Sequence, residues 1–173
     1  MNESLTASRQ PPTTKKIWAL LEEVLDPEVP VLSILDLGIV RDVRVDGARI
    51  TVTITPTYSG CPAMSAIGTD IRLRLLAEGY PDVVIKNQLS PAWTTDWLSE
   101  AGRRKLVEYG IAAPVPGTAT GHALKLFGQD TAVRCPLCQS ENTRLINQFG
   151  STACKALYQC QDCREPFDYF KCH

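Results

Sequence analysis

The chain has 173 residues, 44% of them hydrophobic and 21% charged, with a formal net charge of -1. That is enough for one domain of ordinary size plus a small appendage, and a near-neutral chain has no general attraction to nucleic acid or to an anionic membrane. No apolar run approaches the roughly 20 residues that span a bilayer. Residues 1–14 are polar and lack an apolar targeting core, so we expect a cytoplasmic protein with a short disordered N-terminal tail.

Ile17, Leu20, Leu21, Val24 and Leu25 recur at helical spacing, with Thr13 or Thr14 available as a cap. Pro27 and Pro30 end that helix, and Asp26-Pro27-Glu28-Val29-Pro30 should form an ordered turn. Leu32, Ile34, Leu35 and Leu37 follow, and Gly38 breaks the pattern. The clearest hairpin signal comes next. Ile39, Arg41, Val43 and Val45 share one face of a strand, Ile50, Val52 and Ile54 alternate with threonines in a second, and Asp46-Gly47 is the favoured turn pair between them. Arg41 is the one charged residue on that apolar face, placed either at the sheet edge or toward a site near Asp26 and Glu28.

The second strand leads into Thr55-Pro56-Thr57-Tyr58-Ser59-Gly60-Cys61-Pro62-Ala63-Met64, ahead of a helical stripe of Ile67, Ile71, Leu75 and Leu76. Pro62 suits the first helical position, which makes Cys61 the expected N-cap. A thiol there sits at the positive end of the helix dipole beside unpaired N–H groups, and both favour the thiolate that attacks electrophiles and binds metals. The plainer alternative is a small buried cysteine at a turn. Val83, Val84 and Ile85 form a short strand, and Asp96 to Tyr109 reads as one more helix, with Trp93 and Trp97 near its start packing on the sheet. The order helix, strand, strand, helix, strand predicts an α+β sandwich with helices on one sheet face. The expected division is a tail at 1–14, the α+β domain at 15–110, a Pro/Gly-rich linker at 111–130, within which Ala123–Phe127 has some capacity to pack, and a β-rich second domain at 131–173.

Six of the seven cysteines lie between Cys135 and Cys172. An odd, clustered set in a reducing compartment points to metal rather than to a disulfide framework. Cys135-Pro136-Leu137-Cys138 and Cys160-Gln161-Asp162-Cys163 are two C-x2-C pairs separated by 21 residues, just beyond the usual spacing. Two antiparallel strands between them would bring the pairs together, and four thiolates at tetrahedral corners suit zinc. A rubredoxin-like iron or an iron–sulfur cluster also accepts four thiolates. A domain this small with few large apolar side chains needs such a staple. Cys154, Cys172 and His173 are left over, each as a packed or surface residue or as an auxiliary ligand. Arg134, Arg144, Lys155, Arg164 and Lys171 nearly balance Glu141, Asp162, Glu165 and Asp168, so the ribbon has no basic nucleic-acid footprint and protein docking is the better reading.

Asp26-Pro27-Glu28-Val29-Pro30, then Ile34-x-Asp36-Leu37-Gly38-Ile39-Val40, then Tyr58-Ser59-Gly60-Cys61-Pro62 together resemble the small α+β domain of iron–sulfur assembly proteins, a group that includes SufT and the cytosolic iron–sulfur targeting factors. The ribbon, ending Glu165-Pro166-Phe167-Asp168-Tyr169-Phe170-Lys171-Cys172, narrows the resemblance to the PaaD family, encoded with the ring-1,2-phenylacetyl-CoA epoxidase of aerobic phenylacetate catabolism. The resemblance implies maturation rather than turnover. It makes Cys61 the residue that holds or passes iron or a cluster, and Asp26 and Glu28 supports of that site, or else braces of their own turn. It also implies the epoxidase's oxygenase and reductase subunits as partners, the first with a di-iron centre and the second with an iron–sulfur cluster and flavin.

One protomer offers few ligands around Cys61 for a four-thiolate cluster, so a homodimer bridged through Cys61, or a partner thiol, is expected. The alternative function is a structural adaptor that docks epoxidase subunits through the ribbon, with Cys61 inert. An enzyme with Cys61 as nucleophile is a weaker reading. The histidines are His122 in the linker and His173 at the C-terminus, and neither a phosphate loop nor a dinucleotide fingerprint is present.

Overall fold

The computed structural model describes residues 11–58, 60–117 and 133–171. Met1–Gln10, Ser59, most of the expected linker, Cys172 and His173 lie outside the described residues. Helix α1 (Thr14–Leu21) starts at Thr13, whose side chain accepts from Lys16 N at 3.3 Å, and buries Ile17, Leu20 and Leu21. It ends before the prolines. Val24 still turns into the core, but Leu25, expected on the same face, is 46% exposed because the chain has already left helical geometry. Asp26 then closes the proline-rich turn. Its Oδ1 accepts from Glu28 N and Val29 N, both at 2.8 Å, while its own N–H donates to Leu32 O. This is the usual way an aspartate satisfies backbone that cannot join a helix or sheet.

The first sheet has the order β1-β2-β3, with β1 (Val40–Asp46) antiparallel to β2 (Arg49–Ile54) and β3 (Val83–Asn87) parallel to β2. Two expectations shift here. Asp46 pairs with Arg49, so the tight loop is Gly47-Ala48, with Gly47 taking the positive φ of 59°. A register break between Val40 and Asp42 makes Arg41 the extra residue of the strand. The buried set is therefore Val40 and Val43, and Arg41 turns outward to place its guanidinium 3.6 Å from the centre of the Trp97 ring. Helix α2 (Ala63–Ala77) crosses from β2 to β3 and buries Ala63, Ile67, Ile71 and Leu75, whereas Leu76 is 54% exposed.

The expected helix from Asp96 is broken in two. A 3-10 turn at Thr95–Trp97 is followed by extended Leu98, and α3 (Glu100–Glu108) restarts from Ser99. The cause is Asp36. Ser99 N donates to Asp36 O at 2.7 Å and Ser99 Oγ donates to Asp36 Oδ1 at 2.9 Å, while the same hydroxyl caps Gly102 N at 2.8 Å. Asp36 Oδ2 also accepts from Ser33 N and Oγ, both at 3.1 Å, and from Lys105 Nζ at 2.6 Å. Gly38, at φ 66°, lies so close to the Trp97 backbone that no Cβ would fit. Trp93 packs where expected and donates Nε1 to Leu37 O at 2.7 Å.

The second sheet has the order β4-β7-β6-β5, built from β4 (Ile111–Ala112), β5 (Thr143–Asn147), β6 (Lys155–Cys160) and β7 (Pro166–Phe170). The antiparallel β5-β6 pair is the predicted insert between the cysteine pairs. Ile111 and Ala112, read from sequence as the start of a linker, instead pair in parallel with Asp168 and Tyr169 of β7. Both are buried, which explains why two residues suffice to hold this edge. Phe170 and Cys154 join the hydrophobic core of the first sheet, and Trp93 meets Phe170 edge-on with ring centroids 6.2 Å apart. The architecture is thus α+β, a helix-on-sheet layer followed by a strand-rich cysteine ribbon packed against it. Among the described residues no helix is long and apolar enough to cross a membrane.

Asp36 should be the most sensitive polar residue of the first layer. Burial alone would raise its pKa, but the Lys105 ammonium and the hydroxyl and amide donors outweigh that and hold it below the ordinary value. A depressed folded-state pKa contributes stability above the unfolded value, near 3.9, and loses it as pH falls through the folded pKa. Asp36→Asn is therefore expected to lower the unfolding free energy by about 1–3 kcal/mol at pH 7. In urea titrations the gap from wild type should shrink below about pH 4 as the wild-type carboxyl protonates.

Candidate metal and transfer sites

The sulfurs of Cys135, Cys138, Cys160 and Cys163 lie within 4.8 Å of one another. Cys135 Sγ is 3.7 Å from Cys163 Sγ, and Cys138 Sγ is 3.5 Å from Cys160 Sγ. An ion with tetrahedral Zn–S bonds of about 2.3 Å sets its sulfurs about 3.8 Å apart, so this group stands close to the spacing that zinc requires. Each pair sits in a knuckle closed by backbone bonds, Cys135 N to Ser140 O in one and Cys160 N to Glu165 O in the other. The residue after each pair, Gln139 or Arg164, adopts a positive φ of 64° or 68°. That turn aims amide N–H groups at sulfur. The Cys163 and Asp162 amides pull Cys160 down to about 7. At Cys163 the Glu165 amide favours the thiolate, but burial and the three neighbouring sulfurs prevail and push the thiol up to about 12. A cation at the centre of the four sulfurs favours the thiolate form of each ligand. Cys160→Ser should remove the bound metal, measured as zinc per chain by mass spectrometry, and cost the ribbon amides their exchange protection, whereas Cys61→Ser should change neither.

Cys61 stands where β2 runs into α2. Pro62, not Cys61, is the helix cap residue, and it makes no side-chain cap bond. Cys61 is half-buried, and its N–H donates to Tyr58 O at 3.1 Å. The expected thiolate is not what the surroundings favour. Burial raises the Cys61 thiol above its ordinary pKa. The Ala63 amide and the Thr57 hydroxyl pull the other way, but the charges of Glu28 and Asp26 add to the rise. The helix end and the acidic turn were both visible in the sequence; the burial that outweighs the helix end was not.

The charges of sequence-predicted Asp26 and Glu28 reach Cys61 and add to the rise of its thiol. Burial raises the Asp26 carboxyl, its Val29 and Glu28 amide bonds oppose that, and the nearby cation is Lys155 of β6. Arg41 takes no part. Two participants were missed from sequence. Tyr58 shares a hydrogen bond with Cys61 and is raised by burial and by the charges of Cys61, Glu28 and Cys154. Cys154, left unassigned, donates from Sγ to Glu28 Oε2 at 3.4 Å across a sequence separation of 126 residues, and no local pattern could have signalled it. Among the described residues only the four ribbon cysteines meet the 4.8 Å spacing, so the Cys61 group is the looser of the two. With its pKa raised, Cys61 should be alkylated slowly at neutral pH and speed up only at higher pH than an ordinary thiol, followed by peptide mass spectrometry. Glu28→Gln should move that profile to lower pH.

A family model described as "PaaD zinc beta ribbon domain" matches residues 119–171, and one described as "Iron-sulfur cluster assembly protein" matches residues 14–82. The chain is 49% identical over 166 residues to an Escherichia coli (strain K12) protein described as the putative D component of 1,2-phenylacetyl-CoA epoxidase, covering 96% of this chain and 97% of that one. It is 37% identical over 97 residues to the "Fe-S protein maturation auxiliary factor" of Porphyromonas gingivalis (strain ATCC BAA-308 / W83), covering 54% of this chain and 90% of that relative. Among solved structures it is similar to the crystal structure of a domain of unknown function, DUF59, from Bacillus anthracis, with 30% identity and a TM-score of 0.49 over 53% of this chain and 89% of that one. With two cysteine sites built on an assembly-type layer and a zinc ribbon, and with near-half identity along almost its whole length to the E. coli protein, the chain belongs to the PaaD family of phenylacetyl-CoA epoxidase components.

Proposed function

We propose that this protein is a non-catalytic maturation factor, which holds iron or an iron–sulfur species transiently at Cys61 and delivers it to one of the subunits of a multicomponent phenylacetyl-CoA epoxidase in the cytoplasm. The observation that carries this reading is the position of Cys61. A half-buried thiol feels the charges of Asp26 and Glu28 inside the segment that matches the iron–sulfur assembly model. Burial and both carboxylates suppress the free thiolate, which disfavours nucleophilic chemistry, yet the same negative surroundings attract a cation that would displace the proton. The maturation role of the P. gingivalis relative supports the same reading. The ribbon, with zinc at Cys135, Cys138, Cys160 and Cys163, is the resident metal site and serves structure. A homodimer bridged through Cys61 is one way to complete a four-thiolate cluster.

A second reading rests on the ribbon's surface. Leu137, Leu145, Ile146 and Phe149 are 42–61% exposed, which suits an adaptor that docks the oxygenase or the reductase. The two readings separate in cells carrying wild-type protein, Cys61→Ser, or no copy. Iron is measured in the purified reductase and di-iron subunits separately. For a carrier, Cys61→Ser should match the null strain, with one client short of iron. Full metallation in every strain would remove the maturation role and leave the adaptor.

A further inference from the structure

The two cysteine knuckles are joined by more than their sulfurs. Asn142 directly precedes β5 and Gln161 directly follows β6, and Gln161 N donates to Asn142 O at 2.8 Å, so the pairing runs past the strand ends. Asp162, which stands between Cys160 and Cys163 on the second knuckle, carries the link further with its side chain. Its Oδ1 accepts from Asn142 Nδ2 at 2.7 Å, and its Oδ2 accepts from Ser140 Oγ. Ser140 is itself bound into the first knuckle. Its carbonyl accepts from Cys135 N at 2.9 Å, and its Oγ accepts from Asn142 N at 3.0 Å. One carboxylate thus reaches from the second knuckle to the residues that close the first, across chain separations of 20 and 22 residues. Four thiolates around a divalent ion leave an excess of negative charge, and a carboxylate on the same knuckle adds to it. What Asp162 contributes is its hydrogen bonds.

We propose that Asp162 is a positioning residue of the ribbon's metal centre, a clasp that holds the two knuckles in register and slows release of the ion between them. The inference rests on zinc at the four ribbon sulfurs and is independent of what Cys61 carries. The Cys135–Cys163 and Cys138–Cys160 sulfur contacts each take one sulfur from each knuckle, so an opening of the joint between the knuckles breaks both. The bonds of Asp162 and the Gln161–Asn142 pair cross that same joint and oppose its opening. Asp162 and Asn142 are exposed, where a single hydrogen bond contributes little. These three bonds share one joint, however, and must break together for it to open. The ribbon is thereby built to retain its metal, as a resident structural ion requires.

The test follows zinc transfer from the full-length, zinc-loaded chain to the chromophoric chelator pyridylazoresorcinol under anaerobic conditions. Asp162→Ala removes the clasp and should release zinc about tenfold faster than wild type. Its cobalt-substituted form should keep the four-sulfur spectrum of wild type, since no ligand is changed. Asp162→Asn offers an amide oxygen to Asn142 and an amide N–H to Ser140, so it should return release close to the wild-type rate. A charge acting without the clasp gives a different pattern, because removing a negative group beside four thiolates makes both variants hold zinc more tightly. Unchanged or slower release from Asp162→Ala therefore overturns the inference, and so does equally fast release from Asp162→Ala and Asp162→Asn. If Asp162→Ala does not fold, Asn142→Ala carries the test, and release from it as slow as from wild type overturns the inference. Zinc is measured in wild type at the outset. Its absence there overturns both the zinc reading and the clasp, whereas zinc released at one rate from wild type and Asp162→Ala overturns the clasp alone.

Discussion

The parallel pairing of β4 with β7 is the contact on which the arrangement of this protein depends. Only Ile111 and Ala112 supply it, but both are buried and they join the end of α3 directly to the last strand of the ribbon. With β7 fixed there, Phe170 enters the first core against Trp93, and β6 brings Lys155 beside Asp26. The loop before β6 then places Cys154 on Glu28. A ribbon tethered by a free linker would share none of these contacts. Here the two halves share one hydrophobic cluster, and within the acidic turn Asp26 and Val29 are buried while Pro27 and Pro30 stay exposed.

The two cysteine groups illustrate how one side-chain type is given opposite roles by its surroundings. In the ribbon, two short knuckles with left-handed closing residues hold four sulfurs at metal spacing and direct backbone amides at them. Such a site binds and keeps. Cys61 and Cys154 instead keep their protons, with carboxylate charges adding to the rise of each thiol. Burial there suppresses the reactive thiolate instead of creating it, and only an arriving cation reverses that preference. A helix N-terminus favours a thiolate, but burial, with two nearby carboxylates adding to it, is the larger effect.

Two aspartates organise the loops between these sites by the same chemistry. Asp26 gathers the amides of its own turn, and Asp36 gathers donors from Ser33, Ser99 and Lys105. Each replaces hydrogen bonds that a proline-rich or glycine-broken segment cannot make with regular structure. Asp36 ties α3 to the core loop, and through β4 that tie extends to the ribbon. The acidic motif of the first loop therefore braces its own turn and adds to the rise of the Cys61 thiol.

Local patterns in the sequence were enough for much of this. Helical spacing marked α1 and α2, alternation marked β1 and β2, and the two C-x2-C pairs marked the metal knuckles, because each signal lies within a few residues of chain. The motif around Cys61 and the Asp26–Pro30 turn were legible for the same reason, as was the α+β class. What the sequence could not decide is whatever depends on distant residues meeting. The bulge that turns Arg41 outward and the break that Asp36 imposes at Leu98 are set by tertiary contacts that override periodicity. So is the conversion of Ile111-Ala112 from linker to strand. The raised thiol of Cys61 and the contact of Cys154 with Glu28 follow from burial and charge across chain separations as long as 126 residues, which only packing brings within reach.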